Sequence, residues 1–218
     1  MKSVFKYAVK TYCIYNPLEG VSLPRKKTSD IRLLDKKEQL CLEEYVSKIH
    51  NSTTLGITLA MTTGIRIGEL CALQWKDIDL EKRILTVSKT VQRIQLHEAD
   101  RKTKLIITEP KSESSKRIIP IPEAVVAFLK EMRENDEDFV VSGTSRVIEP
   151  RTMQYRFAKI LKNVNLPSVH FHALRHMFAS NCIRLGFDIK ALSEILGHSS
   201  VEITLNRYVH SSFEQKTE

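Results

Sequence analysis

From Asn51 to Ile65 the chain carries no charged side chain, and Thr53–Thr62 is nearly all apolar or small. A helix without a polar face has to be enclosed by other elements. This run therefore reads as a buried helix, closed by Gly64, around which the rest of a domain must pack. The flanking patterns supply candidates for that shell. Asp35–Ile49 has Leu40, Tyr45, Val46 and Ile49 at helical spacing, and Asp35 with Glu38 three residues later forms a capping-box pattern. Arg83–Gln95 and Lys104–Pro120 alternate and are rich in Ile, Val and Thr, which predicts a short antiparallel sheet with a turn over Pro110–Ser115. Helical periodicity returns at Glu123–Glu134, Pro150–Val164, Phe171–Leu185, Ile189–Leu196 and Val201–Tyr208, with Gly186 and Gly197 at positions suited to helix ends. The expected class is mostly α with a small antiparallel β-sheet (α+β).

The 218 residues suffice for one large domain with its own core. Ser3–Tyr12 reads as a short helix, and Pro17, Gly20 and Pro24 break the pattern after it. Six cations stand against the single Glu19 in residues 1–27, so this stretch holds +5 of the chain's net +8. The basic balance raises the odds of a polyanionic partner, and any such site in the remaining residues has to be locally concentrated. So short a segment builds no core, so residues 1–27 read as the end of a preceding domain with a basic linker, and the main domain as 28–218. No apolar run approaches the roughly 20 residues needed to span a bilayer. Cys13, Cys41, Cys71 and Cys182 lie far apart among apolar neighbours and read as reduced core thiols of a cytosolic protein.

Three motifs carry chemistry. In Thr63-Gly64-Ile65-Arg66-Ile67-Gly68-Glu69-Leu70, Arg66 opens an element just after the buried helix, with Glu69 three residues on. A guanidinium held there by a carboxylate presents a planar donor fork to a phosphate, although an ordinary surface i,i+3 ion pair explains the spacing equally well. In His172-Ala173-Leu174-Arg175-His176, His172 and Arg175 are expected on one helical face, where imidazole handles a proton and Arg an oxyanion. His172 and His176 also have the i,i+4 spacing of a zinc pair, but Ala173 stands where a metalloprotease keeps its Glu. The third motif is Leu196-Gly197-His198-Ser199-Ser200, ten residues before Tyr208. Ser199 and Glu202 make a capping-box pattern that puts His198 just before a helix N-terminus, while Tyr208 alone reads as core or surface filler. Together, several cations and a Tyr without a carboxylate pair suit attack on a phosphodiester without metal.

These segments, including Thr63–Asp79, His172–Ser180 and Leu196–Tyr208, resemble the catalytic domain of tyrosine recombinases, the phage integrase family. Pro110–Pro120 is similar to that family's lysine hairpin. Order and spacing match from about residue 30 to residue 210. The nearest flavour is that of integrases of Gram-positive conjugative transposons and temperate phages.

The resemblance implies a tyrosine recombinase catalytic-domain fold and a site-specific recombinase or integrase. It implies that Tyr208 attacks the scissile phosphate to form a 3′-phosphotyrosyl bond, and that Arg66 and Arg175 bind its non-bridging oxygens. By the same likeness Lys111 protonates the leaving 5′-oxygen, His172 assists proton transfer from Tyr208, and His198 hydrogen-bonds the phosphate. No cofactor is implied, neither ATP nor metal. The implied partners are double-stranded DNA, three further copies in a homotetramer on synapsed DNA, and an accessory directionality factor, with no membrane, in the bacterial cytoplasm. Residues 1–27 resemble the end of the family's core-binding domain. Gly64, Glu69 and Trp75 read as scaffold, with Glu69 bracing Arg66, and Lys116 and Arg117 as a grip on the phosphate backbone. Lys111→Ala and Arg175→Ala are expected to leave folding intact. The Ala173 departure from the family's usual Asp implies no loss of activity. The rival readings are a regulatory DNA-binding relative with an idle site and a type IB topoisomerase.

Overall fold

The computed structural model describes residues 2–18, 20–21, 32–95, 103–109 and 115–205. The chain divides into two units, Met1–Ile31 and Arg32–Glu218. The first holds helix α1 (Lys2–Tyr12), followed by Cys13 in a left-handed backbone conformation.

In the second unit, α2 (Lys36–Lys48) starts from the Asp35–Glu38 capping box expected from the sequence. Asp35 Oδ1 accepts from the Glu38 N–H and a Glu38 carboxylate oxygen accepts from the Asp35 N–H, each at 2.9 Å. Next comes the charge-free helix α3 (Ser52–Thr63), whose Thr54, Leu55, Gly56, Ile57, Leu59, Ala60 and Thr63 are buried. It packs against α2, against α5 (Glu123–Met132), α6 (Pro150–Asn163) and α7 (His172–Arg184), and against the short α4 (Ile67–Ala72). The absence of a polar stripe is thus answered by neighbours on several sides. At its end Gly64 adopts φ 64°, where a Cβ would be strained, and its N–H closes on the Ala60 carbonyl at 3.1 Å.

The described strands form two small antiparallel sheets instead of the single one expected. β1 (Ile78–Asp79), β2 (Ile84–Val87) and β5 (Arg117–Pro120) make the first, in that order, with Leu85 opposite Ile119 and Val87 opposite Arg117. β3 (Thr90–Gln95) and β4 (Thr103–Thr108) pair separately, from Thr90 opposite Thr108 to Gln95 opposite Thr103. The pattern of alternation is continuous across Ser88 and Lys89, but the backbone leaves the ladder there, and α4 packs on β3 instead. Gly68 permits that approach, since a Cβ on it would lie 2.7 Å from Thr90 Oγ1 and 2.9 Å from the Val91 carbonyl oxygen.

Trp75, read as scaffold, is buried, and its N–H donates to the Asp138 carbonyl. Helix α8 (Ile189–Leu196) has the bounds expected, while the described part of the last helix, α9, is Val201–Thr204. Among the described residues no helix is long and apolar enough to cross a membrane. Cys71 and Cys182 are buried as expected, but Cys41 is half-buried and Cys13 is exposed, so the four free thiols do not share one environment.

Candidate active site at the end of helix α8

Helix α8 runs into Gly197 and stops, which leaves carbonyls at its C-terminal end, where the helix dipole is negative. Three arginines from distant parts of the second unit fill that end. Arg117 Nε donates to the Ile195 carbonyl at 2.6 Å, Arg175 Nη2 to the Leu196 carbonyl at 2.6 Å, and Arg66 Nη2 to the Gly197 carbonyl at 2.7 Å. Three successive carbonyls thus take one guanidinium each.

Arg66 is brought there by the left-handed turn at Gly64 and stands at the N-cap of α4. Glu69, in the first turn of that helix, accepts from the Arg66 N–H at 3.0 Å and from Arg66 Nη1 at 2.8 Å. This is half of a capping box, because a guanidinium has no acceptor to return. The bracing of Arg66 by Glu69 is present, but it is no surface ion pair, since Glu69 is 5% exposed. Burial alone would push the Glu69 carboxyl up. The hydrogen bonds and charge of Arg117, with the charge of Arg66, outweigh it and hold the group below its ordinary value.

Arg117 corrects the sequence reading. Its side chain is 6% exposed, and its Nη1 and Nη2 reach Glu69 Oε1 and Oε2 at 3.0 and 2.8 Å. A guanidinium so enclosed is an internal clamp and has no open edge with which to grip a DNA backbone. The signal in the sequence was Glu69 itself, set beside Leu70-Cys71-Ala72-Leu73. A carboxylate buried with such neighbours needs more than one partly exposed cation.

Arg175 and His172 were expected on one face of α7, yet their environments differ. Arg175 is 2% exposed, with Nη1 donating to the Gly64 carbonyl at 2.8 Å and Nη2 placed 3.0 Å from His198 Nε2. His172, the first residue of α7, is exposed, and its ring meets that of buried His176 edge-on at 4.8 Å. Arg175 donates to two backbone carbonyls in the interior, so Arg175→Ala, read from the sequence as fold-neutral, is now expected to cost stability. His198 is half-buried, and its Nδ1 lies 2.8 Å from Thr204 Oγ1.

The Ser199–Glu202 capping box does not form. Ser200 occupies the N-cap without a side-chain bond, because the loop is tied to α8 by His198 N–H on the Ser193 carbonyl and by Ser193 Oγ on the Ser200 carbonyl. Arg66, Arg175 and His198 are thus brought together, and His172 lies on the exposed end of the helix that supplies Arg175. Lys111 and Tyr208 lie outside the described residues. Among the described residues no three His, Cys, Asp or Glu side chains are grouped so as to hold a metal ion.

The model of the Phage integrase family matches residues 32–215. Among curated proteins, the chain is 32% identical to a tyrosine recombinase XerC-like protein of Caldanaerobacter subterraneus subsp. tengcongensis, over all of this chain and 62% of the relative. It is 26% identical to the transposase from transposon Tn916 of Enterococcus faecalis, over 98% of this chain and 57% of that protein. It therefore spans about three fifths of the length of these relatives. Among solved structures, the Tn1549 transposon integrase in complex with a circular intermediate DNA superposes with a TM-score of 0.74 at 25% identity, covering 98% of this chain and 76% of that one. The lambda integrase fragment on a core site shares the fold, with a TM-score of 0.65 at 20% identity, over 94% of this chain and 69% of that one. With the family match extending over most of its length, the chain belongs to the phage integrase family.

Proposed function

We propose that this chain is the catalytic portion of a site-specific DNA recombinase that integrates or excises a mobile element. The observation that carries the reading is the convergence of Arg66 and Arg175 on carbonyls at the end of α8, with the His198 ring against Arg175. The Tn1549 integrase, similar along almost the whole chain, was solved on DNA, which supports double-stranded DNA as the partner here.

In this reading Tyr208 Oη attacks the scissile phosphorus, and the bond to the 5′-oxygen breaks. Lys111 hands a proton to that leaving oxygen, and His172 helps remove the proton of Tyr208. Arg66 and Arg175 offset the charge that builds on the non-bridging oxygens, and His198 hydrogen-bonds the phosphate. The phosphotyrosyl bond retains the energy of the phosphodiester, so the 5′-hydroxyl of the partner strand reverses the step without a nucleotide cofactor. Four copies on synapsed DNA, aided by a directionality factor in the bacterial cytoplasm, complete two exchanges. Residues 1–27 form the end of a core-binding domain with its linker, and 28–218 the catalytic domain.

The test is covalent trapping. The chain is incubated without divalent metal with nicked duplexes randomised around the nick, and protein–DNA adducts that survive denaturation are collected and sequenced. Adducts enriched in one sequence and lost in Tyr208→Phe are expected. Tight selective binding without any adduct would instead favour the regulatory reading.

A further inference from the structure

Each oxygen of the buried Glu69 carboxylate takes two donors. Oε1 accepts from Arg66 Nη1 at 2.8 Å and from Arg117 Nη1 at 3.0 Å. Oε2 accepts from the Arg66 backbone N–H at 3.0 Å and from Arg117 Nη2 at 2.8 Å. A carboxylate offers about four lone-pair sites, so this arrangement leaves it a single pose. The charge count is as informative as the geometry. One carboxylate between two guanidiniums leaves a net +1, whereas Arg66 with Glu69 alone is neutral. With Arg117 sharing Glu69, that carboxylate no longer fully offsets the charge of Arg66.

Arg117 also reaches beyond Glu69. It opens β5, and its Nη1 donates back to the Ser115 carbonyl at 3.1 Å. Its Nε holds the Ile195 carbonyl, three residues before His198. Its side chain lies flat over Gly197, where an added Cβ would stand 3.1 Å from Arg117 Cδ and Nη1. Gly197, at φ 62°, is therefore demanded twice, by its backbone and by this contact. Arg66, in contrast, keeps 35% of its side chain exposed.

We infer that Arg117 is a positioning residue for Arg66: acting through Glu69, it sets the pose and the net charge with which Arg66 meets the scissile phosphate. The inference rests on the recombinase reading for the identity of that phosphate, but the positioning itself does not depend on activity. Arg117 touches no reacting atom. Its effect passes through one carboxylate, as a ligand's orientation passes through its outer hydrogen bonds.

The experiment compares wild type, Arg117→Gln and Arg117→Lys in the 218-residue chain, with thermal melts to establish folding. The first readout is the 15N signal of the Arg66 guanidinium, identified by its loss in Arg66→Lys. In wild type it is expected sharp and slow to exchange, and in Arg117→Gln broadened and shifted. The second readout is the rate of covalent capture of the nicked duplexes at saturating and limiting concentrations. A misplaced reacting group costs on the order of 10²-fold. Arg117→Gln is expected to lose about that factor at saturation with apparent DNA affinity changed less than about threefold, and Arg117→Lys to recover part of it. An unaltered Arg66 signal, or capture by Arg117→Gln within twofold of wild type, overturns the positioning role. If Arg117→Gln does not fold, Arg117→Lys carries both readouts, with the same unaltered signal as the overturning result. If wild type captures no DNA at all, the recombinase reading fails while the Arg66 signal still decides the positioning.

Discussion

Arg175 and His198 meet nitrogen to nitrogen, with Nη2 of the guanidinium 3.0 Å from Nε2 of the imidazole. A guanidinium only donates, so the imidazole accepts this bond with a lone pair and its ring proton belongs on Nδ1, facing Thr204 Oγ1 at 2.8 Å. In the free protein His198 is thus oriented from both edges, by a buried arginine and a buried threonine. For Nε2 to donate to a phosphate, this contact has to open and Nε2 has to carry a proton.

The tautomer is measurable. Long-range 1H–15N correlation spectra of wild type are expected to show His198 protonated at Nδ1. Thr204→Val, which keeps the shape and removes the acceptor, is expected to shift the population toward Nε2–H and to lower covalent capture by roughly 10-fold, as losses of orienting partners do. A wild-type ring protonated at Nε2 would contradict the assignment.

Arg175 and Arg66 share a chemistry and differ in burial. Arg175→Ala removes the donors to the Gly64 and Leu196 carbonyls inside the protein. Stranding buried polar groups is expected to cost about 3 kcal/mol of stability. Arg66→Ala is expected to cost only about 1 kcal/mol, because Glu69 retains Arg117. Both variants lose capture. Urea midpoints of the two, measured together, check the contrast, and equal midpoints would show that Arg175 has no structural share.

Glu69 gives acid sensitivity a definite sign. Its folded-state pKa lies below the ordinary 4.5, since burial, which raises it, is outweighed by Arg117 and Arg66. A depressed carboxyl contributes stability that is fully present above the unfolded value and is lost as pH falls through the folded one. The melting difference between wild type and Glu69→Gln is therefore expected to be largest near neutrality and to shrink as pH drops below 4.5. Melting curves between pH 7 and the acid limit test this, and a gap that is constant with pH would remove the linkage.

The thiols are expected to react in the order of their surroundings. Burial pushes Cys71 up to about 12, against the opposing charge of Arg156, and burial also raises Cys182, whereas Cys13 is exposed. The thiolate is the nucleophile, so iodoacetamide at mildly alkaline pH should label Cys13 readily and leave Cys71 and Cys182 intact until the protein unfolds. Peptide mass spectrometry reads this directly, and native labelling of Cys71 would show that its helix opens.

The sequence by itself determined the helices and the family. The charge-free run around Leu55–Ala60 demanded enclosure, Asp35 and Glu38 announced a helix start, and Gly64 and Gly197 marked ends, because caps, glycine turns and apolar periodicity are local and act over a few residues. The motifs around Arg66, His172 and His198 likewise declared the family, their order being a property of the chain alone. Only the tertiary structure decided what each charged side chain does. Arg117 and Glu69 are 48 residues apart, and Arg66 and the Gly197 carbonyl 131, so no spacing rule links them. The same basic stretch that reads as a grip on DNA, Lys116-Arg117, contains a clamp turned inward. Lys116, just before β5, pairs with Glu109 and stays 40% exposed, while Arg117, the first residue of the strand, turns inward to the buried carboxylate of Glu69. A buried charge recruits its partners from whichever elements the packing of α3, α7 and α8 brings near, and that selection exists only once the fold is complete.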